Sequence, residues 1–268
     1  PVFTVGNQIV ETLSAHDPGL SRADAMRRAI ELLDIVGVAG ASRQVHSFPH
    51  EMSGGMRQRA MIAIAIANNP SVLIADEPTT ALDVTIQAQV MDAFMVAQEA
   101  TGAAILLITH DLGLVANYAD RVQVMYGGHV MESGVTDDLF YAPRNPYTIG
   151  LLNSIPRADR RDAMLHLIRG TPPSSGSEVV GCAFAPRCDH AADLCHTELP
   201  ELRPVGDAHS SRCHFAESLP TLTDAVDAAL VAVARSAEPS EILLEVTDLT
   251  KEFAVRRRGW GRSPTSVK

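Results

Sequence analysis

Two short apolar runs each stop at chemically charged ground. Val72–Ala75 ends on Asp76-Glu77-Pro78, and Ala104–Ile108 ends on Thr109-His110. Between them Ile86, Val90, Phe94 and Ala97 mark one helix face, which Gly102 closes. Strand, helix, strand in that order predicts a right-handed parallel crossover. Ligands of parallel α/β sheets gather at the carboxyl ends of the strands, where Asp76, Glu77 and His110 fall.

The remaining segments fit around that unit. Ser21 to Val36 carries Met26, Ile30 and Leu33 at helical spacing, with Ser21 and Asp24 reading as a capping box and Gly37 as the stop. Ala60–Ala67 alternates isoleucine with alanine; its period suits a strand, while alanine's helix propensity and the preceding glycines suit a buried helix. Arg121–Met125 and His129–Glu132 flank Tyr126-Gly127-Gly128 as a β-hairpin. After Pro143 prolines punctuate short segments and a cysteine-rich stretch runs to about Phe215, the pattern of a small appended module. Residues 217–241 read as an acidic, alanine-rich linker that has room for one helix, and Ile242–Leu249 returns to strand-like composition.

Composition narrows the function classes. A formal net charge of −10 argues against bulk attraction to nucleic acid. The longest apolar runs, Ala60–Ala67 and Ala103–Ile108, fall far short of the roughly 18 to 20 residues that a membrane-spanning helix needs. Pro1 is no initiator and no secretory leader opens the chain, so a cytosolic piece of a longer protein is expected.

Phosphate chemistry is the strongest local signal. Met52-Ser53-Gly54-Gly55-Met56-Arg57-Gln58-Arg59 places a hydroxyl and two glycines at a helix start, where open backbone N–H groups and the helix dipole favour an anion. Asp76 is the candidate holder of Mg²⁺, Glu77 the candidate to polarise an attacking water, and His110 the group that contacts a γ-phosphate or fixes the water and Glu77. Taken in order, Gly54-Gly55 with Gln58-Arg59, Asp76-Glu77-Pro78, Ala81-Leu82-Asp83 and Thr109-His110-Asp111 resemble the signature motif, Walker B, D-loop and H-loop of ATP-binding-cassette (ABC) ATPases. The usual leucine of the signature is Met52 here, a volume-conserving exchange. Pro143-Arg144-Asn145-Pro146-Tyr147-Thr148, Ser154-Ile155-Pro156 and Gly170-Thr171-Pro172-Pro173 resemble the C-terminal extension of oligopeptide and dipeptide importer ATPases.

The resemblance covers about residues 1 to 216 and carries specific expectations. It implies a partial RecA-like α/β ABC domain with its helical subdomain over residues 1–140, an importer-type extension over 141–216, the linker, and the start of a second nucleotide-binding domain over 242–268. It implies ATP and Mg²⁺ as ligands, with Ser53, Gly54, Gly55, Gln58, Asp76 and Asp83 at nucleotide and Glu77 and His110 in catalysis. Implied partners are a second nucleotide-binding domain closing head to tail, transmembrane permease subunits and, indirectly, an extracytoplasmic substrate-binding protein; the implied place is the cytoplasmic face of the inner membrane. Thr250-Lys251-Glu252-Phe253 resembles the opening of a further such domain, making Phe253 a candidate for base stacking. No G-x-x-x-x-G-K-[ST] occurs in the 268 residues, so the chain alone is expected to bind ATP poorly, and truncation is the expected reason.

Cys182, Cys188, Cys195 and Cys213 form C-x5-C-x6-C-x17-C. Four thiolates within so short a stretch suit zinc or an iron–sulfur cluster, and the wide spacing suits the larger cluster. The importer extension is associated with a [4Fe-4S] centre in some members, which is the reading adopted; a zinc site sharing His190, His196, His209 or His214, and buried free thiols, stay open. Two further functions compete: a soluble ABC-type ATPase acting on nucleic acid or ribosomes, and a redox or metal-binding module.

Overall fold

The computed structural model describes residues 2–80, 82–155, 168–174, 180–219, 247, 253–255 and 265–267. The chain divides into two units, Pro1–Asp224 and Ala225–Lys268.

The first unit begins with helices. α1 (Val5–His16) is capped by Thr4 and α2 (Arg22–Ile35) by Ser21. Ser21 Oγ accepts from the Asp24 N–H at 3.1 Å and donates to Asp24 Oδ2 at 2.7 Å, so the box closes side chain to side chain. A short α3 (Ala41–Gln44) leads to α4 (Gly54–Ile66). The ambiguous isoleucine–alanine run is therefore helical. Ile62 and Ile66 are buried four residues apart on one face, so the alternation that imitates a strand also satisfies a helix.

β1 (Val72–Asp76), α5 (Val84–Thr101) and β2 (Ala104–Ile108) form the expected crossover. β1 and β2 pair in parallel, with Val72 opposite Ala104 and Asp76 opposite Ile108. Gly102 ends α5 in the left-handed conformation, which glycine adopts without a Cβ penalty. Leu73 and Ala75 enter a core shared with Ile9, Leu33, Ile66 and Val90 from the helices. The opposite face is open: Ile74 is 70% and Leu106 53% exposed. Alternation of side chains on a pleated strand leaves that face to solvent where helices cover only one side.

α6 (Leu112–Tyr118) follows, then the hairpin of β3 (Arg121–Tyr126) and β4 (His129–Val135) turning at Gly127-Gly128. α7 (Thr136–Tyr141), α8 (Pro146–Asn153) and α9 (Asp193–Thr197) precede β5 (Arg203–Gly206) and β6 (His209–Ser211). These last strands add to the hairpin in one sheet of order β3-β4-β6-β5, which ties the cysteine-rich segment to it. A second core joins Tyr126 and Met131 of the hairpin to Ala183 and Phe184. Tyr126, Tyr147 and Phe184 pack in tilted and edge-to-face pairs with centroids 4.6 to 5.5 Å apart.

In the second unit β7 (Phe253–Val255) pairs antiparallel with β8 (Thr265–Val267). The strand expected at Ile242–Leu249 and the linker helix lie outside the described residues, Thr247 apart. Among the described residues no helix is long and apolar enough to cross a membrane.

Candidate functional site

The ends of β1 and β2 bring Glu77 and His110 together. The Glu77 N–H donates to Ile108 O at 2.9 Å, extending the parallel pairing by one step, and Glu77 itself adopts φ +49. A left-handed non-glycine residue costs about 1–2 kcal/mol, a strain met more often at functional positions than in plain strands. His110 Nδ1 lies 2.8 Å from Glu77 Oε1, and Thr80 Oγ1 donates to Glu77 Oε2 at 2.8 Å. The bond to His110, then that from Thr80, holds the Glu77 carboxyl below its ordinary range. In return the bond to Glu77 and its charge push His110 above the ordinary imidazole value. Below that raised pKa the two form an ion pair, open to solvent. Asp76, next to it, is exposed and enters no ion pair among the described residues, leaving a hard oxygen donor of the kind Mg²⁺ accepts.

Two residues that motif reading passed over, Thr80 and Gln87, hold this geometry together with Asp111. Thr80 braces Glu77. Gln87 Nε2 on α5 donates to Asp111 Oδ2 at 2.8 Å, while Asp111 Oδ1 caps α6 through the N–H groups of Gly113 and Leu114. His110 is thereby fixed between a strand end and a helix cap. Only the capping aspartate left a sequence signal, since a side-chain bond across 24 positions has no local periodicity.

The glycine motif occupies the start of α4. Ser53 Oγ accepts from the Met56 N–H at 3.3 Å as an N-cap, and Gln58 lies half-buried one turn on. Gly55 is required by packing: a Cβ there would stand 2.8 Å from Ile86 Cγ2 of α5. Asp83 caps α5, its Oδ1 accepting from the Ile86 N–H at 3.0 Å. The two helix starts are thus pressed together. No hydrogen bond among the described residues joins Ser53, Gly54 or Gly55 to Asp76, Glu77 or His110. Phe253 opens β7, in the other unit.

All four cysteines line one cavity, and none is in a disulfide. Among the described residues no group of three or more His, Cys, Asp or Glu side chains is placed to hold a metal ion. The sulfurs nonetheless sense one another. Burial pushes the thiols of Cys182, Cys188 and Cys213 up, Cys188 to about 11, and the neighbouring thiols add to it. Backbone N–H groups oppose the rise, from Phe184 and Ala185 at Cys182, from His190 at Cys188 and from Phe215 at Cys213. Of the histidines, His190 and His214 line the cavity, but His209 Nε2 is bonded at 2.8 Å to the buried Glu132 Oε1.

Residues 2–80 match the ABC transporter family model, and residues 131–195 match the oligopeptide/dipeptide transporter C-terminal region. The oligopeptide transport ATP-binding protein OppD of Mycobacterium tuberculosis is 53% identical over 214 residues, covering 80% of this chain and 35% of that protein. A Brucella abortus protein named for peptide import ATP binding is 51% identical over 219 residues, 80% of this chain and 64% of its own. The oligopeptide transport ATP-binding protein AppD of Bacillus subtilis is 49% identical over 217 residues, 81% and 66% of the two chains. The chain therefore spans between a third and two thirds of these relatives. With an ABC transporter match, an oligopeptide/dipeptide C-terminal region and relatives at about half identity, the chain belongs to the ATP-binding proteins of the oligopeptide/dipeptide ABC transporter family.

Proposed function

We propose that this chain is part of an ATP-hydrolysing subunit that powers import of di- or oligopeptides through a membrane permease. The observation that carries the reading is the Glu77–His110 pair at the carboxyl ends of adjacent parallel strands, with the free Asp76 carboxylate beside it. Asp76 offers its oxygen to Mg²⁺, which when bound neutralises charge on the phosphates. Glu77, braced by Thr80, orients water for in-line attack and accepts its proton. His110 hands its hydrogen bond from Glu77 to the terminal phosphate. Ser53, Gly54, Gly55 and Gln58 serve the nucleotide held by a second nucleotide-binding domain, toward which Asp83 also turns. Residues 1–140 act as the ATPase portion, 141–216 as the importer extension, 217–241 as linker and 242–268 as the start of a further nucleotide-binding domain with Phe253 as base stacker. The assembly works at the cytoplasmic face of the inner membrane, supplied by an extracytoplasmic substrate-binding protein.

The four cysteines hold a [4Fe-4S] cluster in this reading. Two observations support it: the shared cavity and the amide N–H groups that oppose the rise at three of the sulfurs. When bound, the cluster supplies a structural or redox-sensing centre outside the ATPase residues. The nucleic-acid and ribosome reading has no comparable support, given the acidic balance and the importer extension.

The deciding experiment places Glu77→Gln in the full-length protein with its permease. Expected is loss of ATP hydrolysis by two or more orders of magnitude with ATP binding kept, because an amide cannot take the proton. Hydrolysis at the unsubstituted rate would overturn Glu77's role.

A further inference from the structure

Two carboxylates neighbour His110, and the structure pairs it with only one of them. Glu77, just past the end of β1, lies 2.8 Å from Nδ1; Asp111 is the next residue in the chain, yet among the described residues no ion pair joins it to the imidazole. Both oxygens of Asp111 are engaged elsewhere. Oδ1 accepts from the N–H groups of Gly113 and Leu114 at 2.8 and 3.2 Å, and Oδ2 accepts from Gln87 Nε2 at 2.8 Å. The bond from Gln87 is the largest cause holding the Asp111 carboxyl below its ordinary range, and the Asp111 charge adds to the pull of Glu77 on the His110 ring. Gln87 is half-buried in the first turn of α5, its N–H bonded to Asp83 O at 2.8 Å, and Ile86 before it packs against the start of α4 at Gly55. The amide is therefore delivered from a turn that is capped and packed.

We propose that Gln87 is a positioning residue for His110: by holding Asp111 Oδ2 it keeps the neighbouring carboxylate from drawing the imidazole away from Glu77. The inference rests on the reading of Glu77 and His110 given above. An imidazole shared between two carboxylates spends only part of its time on either, and each bond taken by Asp111 is one that Glu77 loses. A neutral amide fits the task, since it fills Oδ2 without adding a charge near the ring. Among the described residues no hydrogen bond joins Gln87 to His110 or Glu77, so it acts through Asp111.

The test sets wild type beside Gln87→Met, which keeps the side chain's length and removes its donor, beside Asp111→Asn, and beside the two together. Asparagine still caps α6 through its oxygen but no longer competes as a carboxylate. Two quantities are read: kcat and KM for ATP in the full-length protein with its permease, and the ring-nitrogen NMR shifts of His110 in the whole chain at one fixed pH. Expected for Gln87→Met is a kcat lower by about tenfold with KM within about twofold of wild type, together with moved His110 signals. Adding Asp111→Asn should bring both back toward wild type, a rescue that a residue serving stability alone would not show. Unchanged His110 signals or an unchanged kcat in Gln87→Met, or a loss that Asp111→Asn does not reverse, would overturn the proposal. Should Gln87→Met fail to fold, Gln87→Ala takes its place, and failure of both would leave Gln87 a structural residue and overturn it too. Full-rate hydrolysis by Glu77→Gln would instead remove the catalytic reading, and the His110 signals would still decide whether Gln87 governs the pairing.

Discussion

His110 Nδ1 and Glu77 Oε1 stand 2.8 Å apart across the ends of two adjacent parallel strands. Each moves the other's proton affinity, Glu77 raising His110 and His110 lowering Glu77. Both Glu77 oxygens already accept a bond, one from His110 and one from Thr80, yet each keeps a further lone pair for water. The carboxylate is thus oriented without being used up.

Glu77→Gln should move the His110 pKa downward, seen in an NMR titration of the ring protons. The sign follows from the two shifts. Glu77, lowered, contributes above its ordinary pKa and loses that contribution as pH falls through its folded value; His110, raised, contributes below its ordinary pKa and loses it as pH rises through its folded value. The pair's contribution is therefore full between the two ordinary values and is lost as pH passes outward through either folded value. Because both groups are open to solvent, added salt should shrink the His110 shift. An unchanged His110 titration in the variant would mean the pair does not form in solution.

Gly55→Ala should destabilise the chain by about 1–3 kcal/mol, the range for overpacking a closed contact. The new methyl would meet Ile86 Cγ2 at 2.8 Å, and α4 cannot retreat without giving up its packing on α5. Ile86→Ala removes the obstruction, so the double variant should lose less than the sum of the singles in urea unfolding. Additive losses would place the cost elsewhere.

What the sequence made legible was local. Ser53 as an N-cap, the β1 and β2 runs, the α5 face and its Gly102 stop, and the Gly127-Gly128 turn all follow from neighbours within a few positions. Ala60–Ala67 stayed open because isoleucines two apart include pairs four apart, and only tertiary packing chooses between the periods. Non-local pairings were not legible. Nothing in Arg203–Gly206 or His209–Ser211 announces that they extend a hairpin some 77 positions upstream, as the Glu132–His209 bond shows. At the site, strand-terminal carboxylates mark themselves by charge after an apolar run, whereas Thr80 and Gln87 act through single bonds with no sequence period.

Glu132→Ala should cost about 1–3 kcal/mol, the usual penalty for leaving buried hydrogen-bond donors without a partner. Glu132 is fully buried on β4 and its Oε1 accepts from His209 Nε2 at 2.8 Å and from the Arg144 N–H. Removing the carboxylate strands both donors in an enclosed site. His209→Ala should cost a similar amount, and the pair together less than the sum, measured by urea unfolding. A loss under about 1 kcal/mol for Glu132→Ala would show that water replaces the carboxylate.

In metal-free protein Cys188 should resist alkylation. Burial pushes its thiol to about 11, so at pH 8 almost none is thiolate, and thiolate is the reacting form. Its rate with iodoacetamide at pH 8 should fall below that of an unhindered cysteine by about tenfold or more, followed by mass spectrometry, and should climb as pH rises toward the folded pKa. Gly181→Ala supplies the control. Gly181 has φ +77, and a Cβ there would stand 2.5 Å from Cys195 O, beside the bond by which Cys182 N–H reaches the same oxygen at 2.8 Å. The methyl forces the two cysteine-bearing segments apart, water enters, and the Cys188 pKa falls, so the variant should alkylate faster at pH 8. An equal rate in both proteins would show that enclosure by these segments does not set the thiol's acidity.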